Sequence, residues 1–290
     1  LIENIPMKST NELLGLKGKS VVITGAGGVI CSCLAEGLCE VGMNVFLLDL
    51  NLESAEKVAT NLKAKFPDQI IAAYAANVLD KPSLEGVKAE ILKSVSAIDF
   101  LINGAGGNSP KATTQAEQII PGETDSLSNF FDLEMDGFDR VFSLNLNGTL
   151  LPTMVFAREM ISRQSGGILN ISSMNAFRPL TKIPAYSAAK SSINNITEWM
   201  AVHFAKTGVR VNAIAPGFFI TNQNRFLMID EATGNPTPRG QKVLNNTPMG
   251  RYGDIDELVG TTIYLLSDMS KFVTGIIIPI DGGFSAFSGV

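Results

Sequence analysis

The chain has 290 residues, 45% of them hydrophobic, with 23 basic and 28 acidic side chains for a net charge of −5. That length and composition suit one domain with a substantial core. An even charge spread without a basic run argues against a nucleic-acid partner, and no apolar run reaches the roughly 18 residues a membrane helix needs.

The opening residues carry no secretory pattern. Cys31, Cys33 and Cys39 crowd into one helical segment instead of forming a disulfide framework, so a cytoplasmic location is expected. Their spacing is not that of a zinc site and the lone His203 lies far along the chain, so they read as small packing thiols and no metal is expected.

Strand-like runs are expected at 20–24, 44–48, 70–75, 100–103, 167–171, 209–214 and 276–280, with helical patterns filling most intervals. The strands are nearly all apolar instead of alternating, as they are when helices cover both faces of a parallel sheet. The expectation is therefore an α/β, single-domain, Rossmann-type, doubly wound parallel sheet of about seven strands. Two stretches break the rhythm, 104–135 and 218–246, and both follow strands that end at the ligand-binding edge of such a sheet. The second, inserted after the sixth strand, reads as a substrate lid or as a flexible loop.

The run Val21-Val-Ile-Thr-Gly-Ala-Gly-Gly-Val-Ile-Cys is a strand, a glycine-rich turn and a helix start, which presents backbone amides and a helix dipole to a pyrophosphate. A dinucleotide is implied. Asp49 ends the second strand, where a carboxylate can accept from the adenosine ribose hydroxyls. Leu50, Asn51 and Leu52 are neutral, so nothing there would welcome a 2′-phosphate, which favours NAD. A solvated strand-end Asp is the plainer alternative.

Tyr186 and Lys190 lie four apart in Ile183-Pro-Ala-Tyr-Ser-Ala-Ala-Lys, on one helical face. A nearby ammonium favours the phenolate, which brings a phenol of pKa about 10 closer to acid/base work at neutral pH. Ser173 closes the buried run Gly167-Ile-Leu-Asn-Ile-Ser-Ser and places its hydroxyl at a strand's carboxyl end.

Taken with Asn103-Gly-Ala-Gly after the fourth strand, these features resemble the short-chain dehydrogenase/reductase family over nearly the whole chain. The glycine pattern of that family is matched at Thr24 and Gly25, whereas Val29 and Cys31 stand where later glycines belong, and Gly27 and Gly28 fall in the spacer. The resemblance implies cofactor contacts from Thr24, Gly25, Gly27, Gly28, Val29, Ile30, Asp49 and Leu50. It implies others from Asn77-Val78 at the adenine, with Asn in place of the usual Asp. Further contacts come from Asn103, Gly104 and Ala105, where the family has Asn-Asn-Ala-Gly, and from Pro216, Gly217, Ile220 and Thr221 at the nicotinamide.

By the same resemblance Tyr186 is the acid/base, Ser173 holds the substrate oxygen and Lys190 binds the nicotinamide ribose. Asn145 holds a water in the proton relay, unless it is a plain helix polar. A homotetramer is implied too, with the last helix (254–267), the strand at 276–280 and an aromatic tail forming contacts; the simpler reading is that this region caps the monomer.

Local sequence at 101–114, 172–186 and 281–290 resembles a branch that interconverts D-mannonate and D-fructuronate with NAD. A sugar-acid substrate would meet donors from Asn108, Lys111, Asn175, Arg178, Lys182, Asn224 and Arg225. Arg178 is the first choice for its carboxylate, because a guanidinium binds one bidentately. A gluconate 5-dehydrogenase type of enzyme and a non-catalytic NAD sensor are the other readings.

Overall fold

The computed structural model describes residues 8–122, 127–221 and 224–289; residues 222 and 223 of the expected lid and 123–126 of the earlier loop lie outside them. The strands are β1 (Ser20–Thr24), β2 (Asn44–Asp49), β3 (Ile71–Ala75), β4 (Phe100–Asn103), β5 (Gly166–Ile171), β6 (Val209–Pro216) and β7 (Ile277–Ile280). They form one sheet ordered β3-β2-β1-β4-β5-β6-β7, with every neighbouring pair parallel. The helices are α1 (Thr10–Leu14), α2 (Val29–Glu40), α3 (Leu52–Lys65), α4 (Lys81–Ile91), α5 (Met135–Phe142), α6 (Gly148–Ser162), α7 (Pro184–His203), α8 (Arg225–Met228), α9 (Pro238–Asn246) and α10 (Glu257–Leu266).

Period-two geometry divides each apolar strand between two cores. Val21, Ile23, Val45 and Leu47 pack with Leu34 and Leu38 of α2, Ala55 and Leu62 of α3, and Leu258 and Leu265 of α10. Val22, Phe46 and Leu48 face the other way, onto Leu84 and Ile91 of α4, Phe156 and Met160 of α6, and Met200 of α7. Helices thus cover both faces. Among the described residues no helix is long and apolar enough to cross a membrane.

The expected strands are present with shifted ends. β6 runs on to Pro216 because Ala215 and Pro216 still pair with Pro279 and Ile280 of β7. The last helix starts at Glu257, not Asp254, because the Asp254 N–H donates to the Glu257 carboxylate at 2.8 Å in a capping turn. The stretch after β6 is not irregular throughout: α8 and α9 fall inside it, and α9 begins with Thr237 accepting from Gly240 N–H and Pro238 in its first turn. The strand order reverses between β1 and β4, and the carboxyl ends of the strands there are where sheets of this kind bind ligands in a crevice.

Candidate active site

Ser173 follows β5 and caps a short 3₁₀ turn (Met174–Ala176), its Oγ accepting from Asn175 N–H at 3.2 Å. Tyr186 and Lys190 share the inward face of the first turns of α7, which starts on Pro184. Ser173 is the side chain that acts on the Tyr186 phenol, in the direction that favours its ionised form. Lys190 Nζ stands 5.6 Å from the Tyr186 ring centroid and donates to the Ile171 carbonyl at 2.8 Å. Serine, tyrosine and lysine are therefore one cluster.

The electrostatics differ from expectation at one point. Burial pushes the Tyr186 phenol above its ordinary value, with Ser173 acting the other way. Burial also draws the Lys190 ammonium down from 10.5 to about 8. Desolvation acts on both members of the pair, and it outweighs the mutual help foreseen from their spacing.

Asn145 lies in a π-helical turn (Ser143–Asn147) between α5 and α6 and is fully buried. Its Nδ2 donates to the carbonyls of Gly107 (2.7 Å) and Val141 (2.8 Å), and its Oδ1 accepts from Gly107 N–H at 3.3 Å. The loop after β4 passes so close that a Cβ at Gly106 would sit 2.7 Å from Asn145 Oδ1 and 3.3 Å from Lys190 Nζ. Asn145 and Lys190 thus meet at the same backbone.

On the other side of the crevice α2 begins after Gly28, and no side chain caps its first-turn amides. Gly25 takes φ +66°, where glycine alone is unstrained. Thr24 Oγ1 accepts from the N–H groups of Gly104 (3.1 Å) and Ala105 (3.3 Å), tying the turn after β1 to the loop after β4. Asp49 braces the same turn: its carboxylate accepts from Gly27 N–H and Asn51 N–H, both at 2.9 Å. Beside it Leu50 is exposed, and Val78 is buried next to an exposed Asn77 whose Oδ1 accepts from Leu79 N–H.

Asn103, expected to wall the crevice, turns its amide into the core. It donates to Thr153 Oγ1 (3.0 Å) and Asn170 Oδ1 (2.9 Å), and Asn170 donates on to Thr197 Oγ1 at 2.8 Å. Pro216 ends β6, and Gly217 packs against Asp281. Thr221 N–H donates to Asn224 Oδ1 at 2.8 Å, and Asn224 Nδ2 donates to the Phe219 carbonyl at 2.9 Å, so Asn224 is spent on shaping the loop that holds Ile220 and Thr221.

The expected substrate donors are placed unequally. Asn175 is buried and its Oδ1 has no partner. Arg178 is exposed, its Nε donating to the Ser285 carbonyl at 3.2 Å, and Arg225 is exposed at the start of α8. Asn108 donates to Thr113 Oγ1 at 3.0 Å. Lys111 holds both Glu134 and Asp136 at 2.8 Å on the surface. Lys182 joins an arrangement that sequence reasoning missed: Glu117 pairs with Lys242 of α9 at 2.9 Å and with Lys182 at 3.8 Å, fastening the loop after β4 to the segment after β6. Acids and bases this far apart in sequence give no spacing signal.

A hydroxyl, a phenol and an ammonium gathered at the switch point of a parallel sheet, opposite a glycine turn, define an oxidoreductase that works on alcohol CH–OH groups with a nicotinamide dinucleotide. More specifically, the chain belongs to the short chain dehydrogenase family, whose sequence model matches residues 19–232. It is 50% identical over 281 residues to an uncharacterized oxidoreductase of Haemophilus influenzae, covering 95% of this chain and 96% of that one. A crystal structure from the same organism, provisionally named a D-mannonate oxidoreductase and holding NAD, has a TM-score of 0.90 at 50% identity over 95% of this chain and 98% of that chain. A gluconate 5-dehydrogenase from Burkholderia cenocepacia, in complex with NADP and tartrate, has a TM-score of 0.80 at 29% identity, covering 96% and 100%.

Proposed function

We propose that the protein interconverts D-mannonate and D-fructuronate, using NAD(H). The observation that carries the reading is the Ser173, Tyr186 and Lys190 cluster beside a dinucleotide turn, in a chain half identical to the NAD-bound structure provisionally named a D-mannonate oxidoreductase. The residues present fit the cofactor: uncapped amides of Val29 and Ile30 at a helix N-terminus suit a pyrophosphate, and the carboxylate of Asp49 suits ribose hydroxyls. Thr24, Gly25, Gly27, Gly28, Leu50, Asn77, Val78, Gly104, Ala105, Pro216, Gly217, Ile220 and Thr221 complete the crevice in this reading, with Asn103 supporting it from below. A 2′-phosphate would meet the charge of Asp49, so NAD is preferred to NADP.

When bound, the nicotinamide supplies or accepts the hydride. Tyr186 gives the proton to, or takes it from, the substrate oxygen, and Ser173 donates a hydrogen bond to the charge that develops there. Lys190 holds the nicotinamide ribose. Asn145, whose amide already spans Gly107 and Val141, positions the relay at Lys190. Arg178 takes the carboxylate of the sugar acid, with Asn108, Asn175 and Arg225 at its hydroxyls. Lys111 contributes only by exchanging Glu134 and Asp136 for the substrate. The 218–246 segment acts as the lid, and exposed Phe272 and Ile276 next to β7 suit the contacts of a homotetramer.

The likeness to the gluconate 5-dehydrogenase favours a second reading, a related keto-sugar acid as substrate. A sensor has no use for an acid/base cluster. Purified protein is given NADH or NADPH with D-fructuronate and, in parallel, 5-keto-D-gluconate, and absorbance at the NADH band is followed. Faster loss of NADH than NADPH with fructuronate is expected. Turnover of 5-keto-D-gluconate alone moves the assignment to the second reading, and tight NADH binding without any turnover moves it to a sensor.

A further inference from the structure

Cys31, in the first turn of α2, and Gly104, in the loop after β4, are far apart in sequence; by the resemblance described above they stand where the family pattern has a glycine and an asparagine. The fold brings the two together. A Cβ built on Gly104 would overlap Cys31 Sγ, far inside contact distance, and would lie 2.8 Å from the Thr24 carbonyl. The thiol is buried, and burial pushes it up to about 12, so it is a neutral packing group at any ordinary pH. It therefore occupies the space that a side chain at 104 would take.

We infer that Cys31 and Gly104 are a matched exchange, in which a thiol reaching across from α2 replaces a side chain on the opposite loop and sets the spacing of the dinucleotide crevice. This rests on the dinucleotide reading of the turn. The same backbone pair is clamped by Thr24 Oγ1, which holds the N–H groups of Gly104 and Ala105. The thiol and the clamp together fix how near the loop after β4 lies to the glycine turn. Interiors pack too tightly for either residue to change alone without shifting that spacing. Cys31 is thus a positioning residue: it acts on the cofactor through the two loops.

Cys31→Ala, Gly104→Ala and the double variant test the pair. Cofactor-free melting midpoints and NADH dissociation constants are measured for all four proteins. Gly104→Ala is expected to weaken NADH binding about tenfold or more, with KM for NADH rising more than kcat falls. Adding Cys31→Ala removes the shorter of the two clashes, and the double variant should bind NADH several-fold more tightly than Gly104→Ala and melt above it. Recovery is partial, because the contact with the Thr24 carbonyl remains. If Cys31→Ala improves neither property of Gly104→Ala, the exchange is refuted; recovery of melting without recovery of affinity refutes the positioning role. Should Gly104→Ala fail to fold alone, a folded double variant supports the pairing and an unfolded one overturns it. A parent protein that binds no NADH sinks the dinucleotide reading instead, a result distinct from loss of rescue.

Discussion

Replacing Lys190 with Met asks what the fold gives up to hold an ammonium at the site. Lys190 is 5% exposed, its Nζ donates to the Ile171 carbonyl, and burial draws its titration from 10.5 to about 8. Between those two pH values the unfolded chain still holds a proton that the folded chain has released. Stability contributed by this residue is therefore lowest below pH 8 and rises as the pH climbs from 8 towards 10.5. At roughly 1.4 kcal/mol per pH unit the window is worth about 3 kcal/mol. Urea unfolding of cofactor-free parent and Lys190→Met between pH 7 and 10.5 measures it, and taking the difference removes every titration the two proteins share. The Met variant is expected to be the more stable at pH 7, with its advantage shrinking by about 2–3 kcal/mol across the window. A difference that stays flat with pH, or grows, would show that the ammonium is not desolvated and refute the reasoning.

Tyr186→Phe should still bind NADH, lose on the order of a thousandfold in turnover, and lose the rise of alcohol oxidation with pH that ionisation of the phenol provides; turnover near the parent level would remove Tyr186 from the mechanism. Arg178→Ala should raise KM for the sugar acid roughly tenfold or more while leaving an uncharged polyol unaffected, since the lost partner is a carboxylate. Equal effects on both substrates would place the carboxylate elsewhere. Glu117→Gln removes the ion pairs to Lys242 and Lys182, so amide exchange in α9 should quicken with little change in melting midpoint; unchanged exchange would show that these charges hold nothing.

The strands were legible because two covered faces demand unbroken apolar runs, and the glycine turn because Asp49 and the Ser173, Tyr186 and Lys190 set follow it in order; alone it reads as a plain turn. α9 was hidden by its own start signal: Thr237-Pro238 stands in a run of Pro, Gly and Asn that reads as loop, although a capping Thr followed by Pro is how such a helix begins. α8 spans four residues and has too little periodicity to be seen. The i, i+4 spacing placed Lys190 beside Tyr186 correctly, yet spacing carries no information about solvent, so the direction of the phenol's shift came out reversed. Asn103 matched a motif, but only the pairing of β4 with β5 shows that Asn170 lies opposite to receive its amide. Cys31 and Gly104 were each visible as oddities. Their contact depends on two loops meeting beyond strands whose register sets Thr24 against Asn103.

The buried chain from Thr153 through Asn103 and Asn170 to Thr197 bolts α6 and α7 to two central strands. Breaking any link would strand a polar group away from water, at about 1–3 kcal/mol each, whereas the exposed ion pairs that fasten the segment after β6 are worth about 1 kcal/mol at most. The costs of opening are accordingly unequal. The acid/base side chains ride on the costlier frame, and the pairs joining Glu117 to Lys182 and Lys242 are the cheaper ones to break. On these costs the spacing of phenol and ammonium should outlast a break in the ion pairs around Glu117.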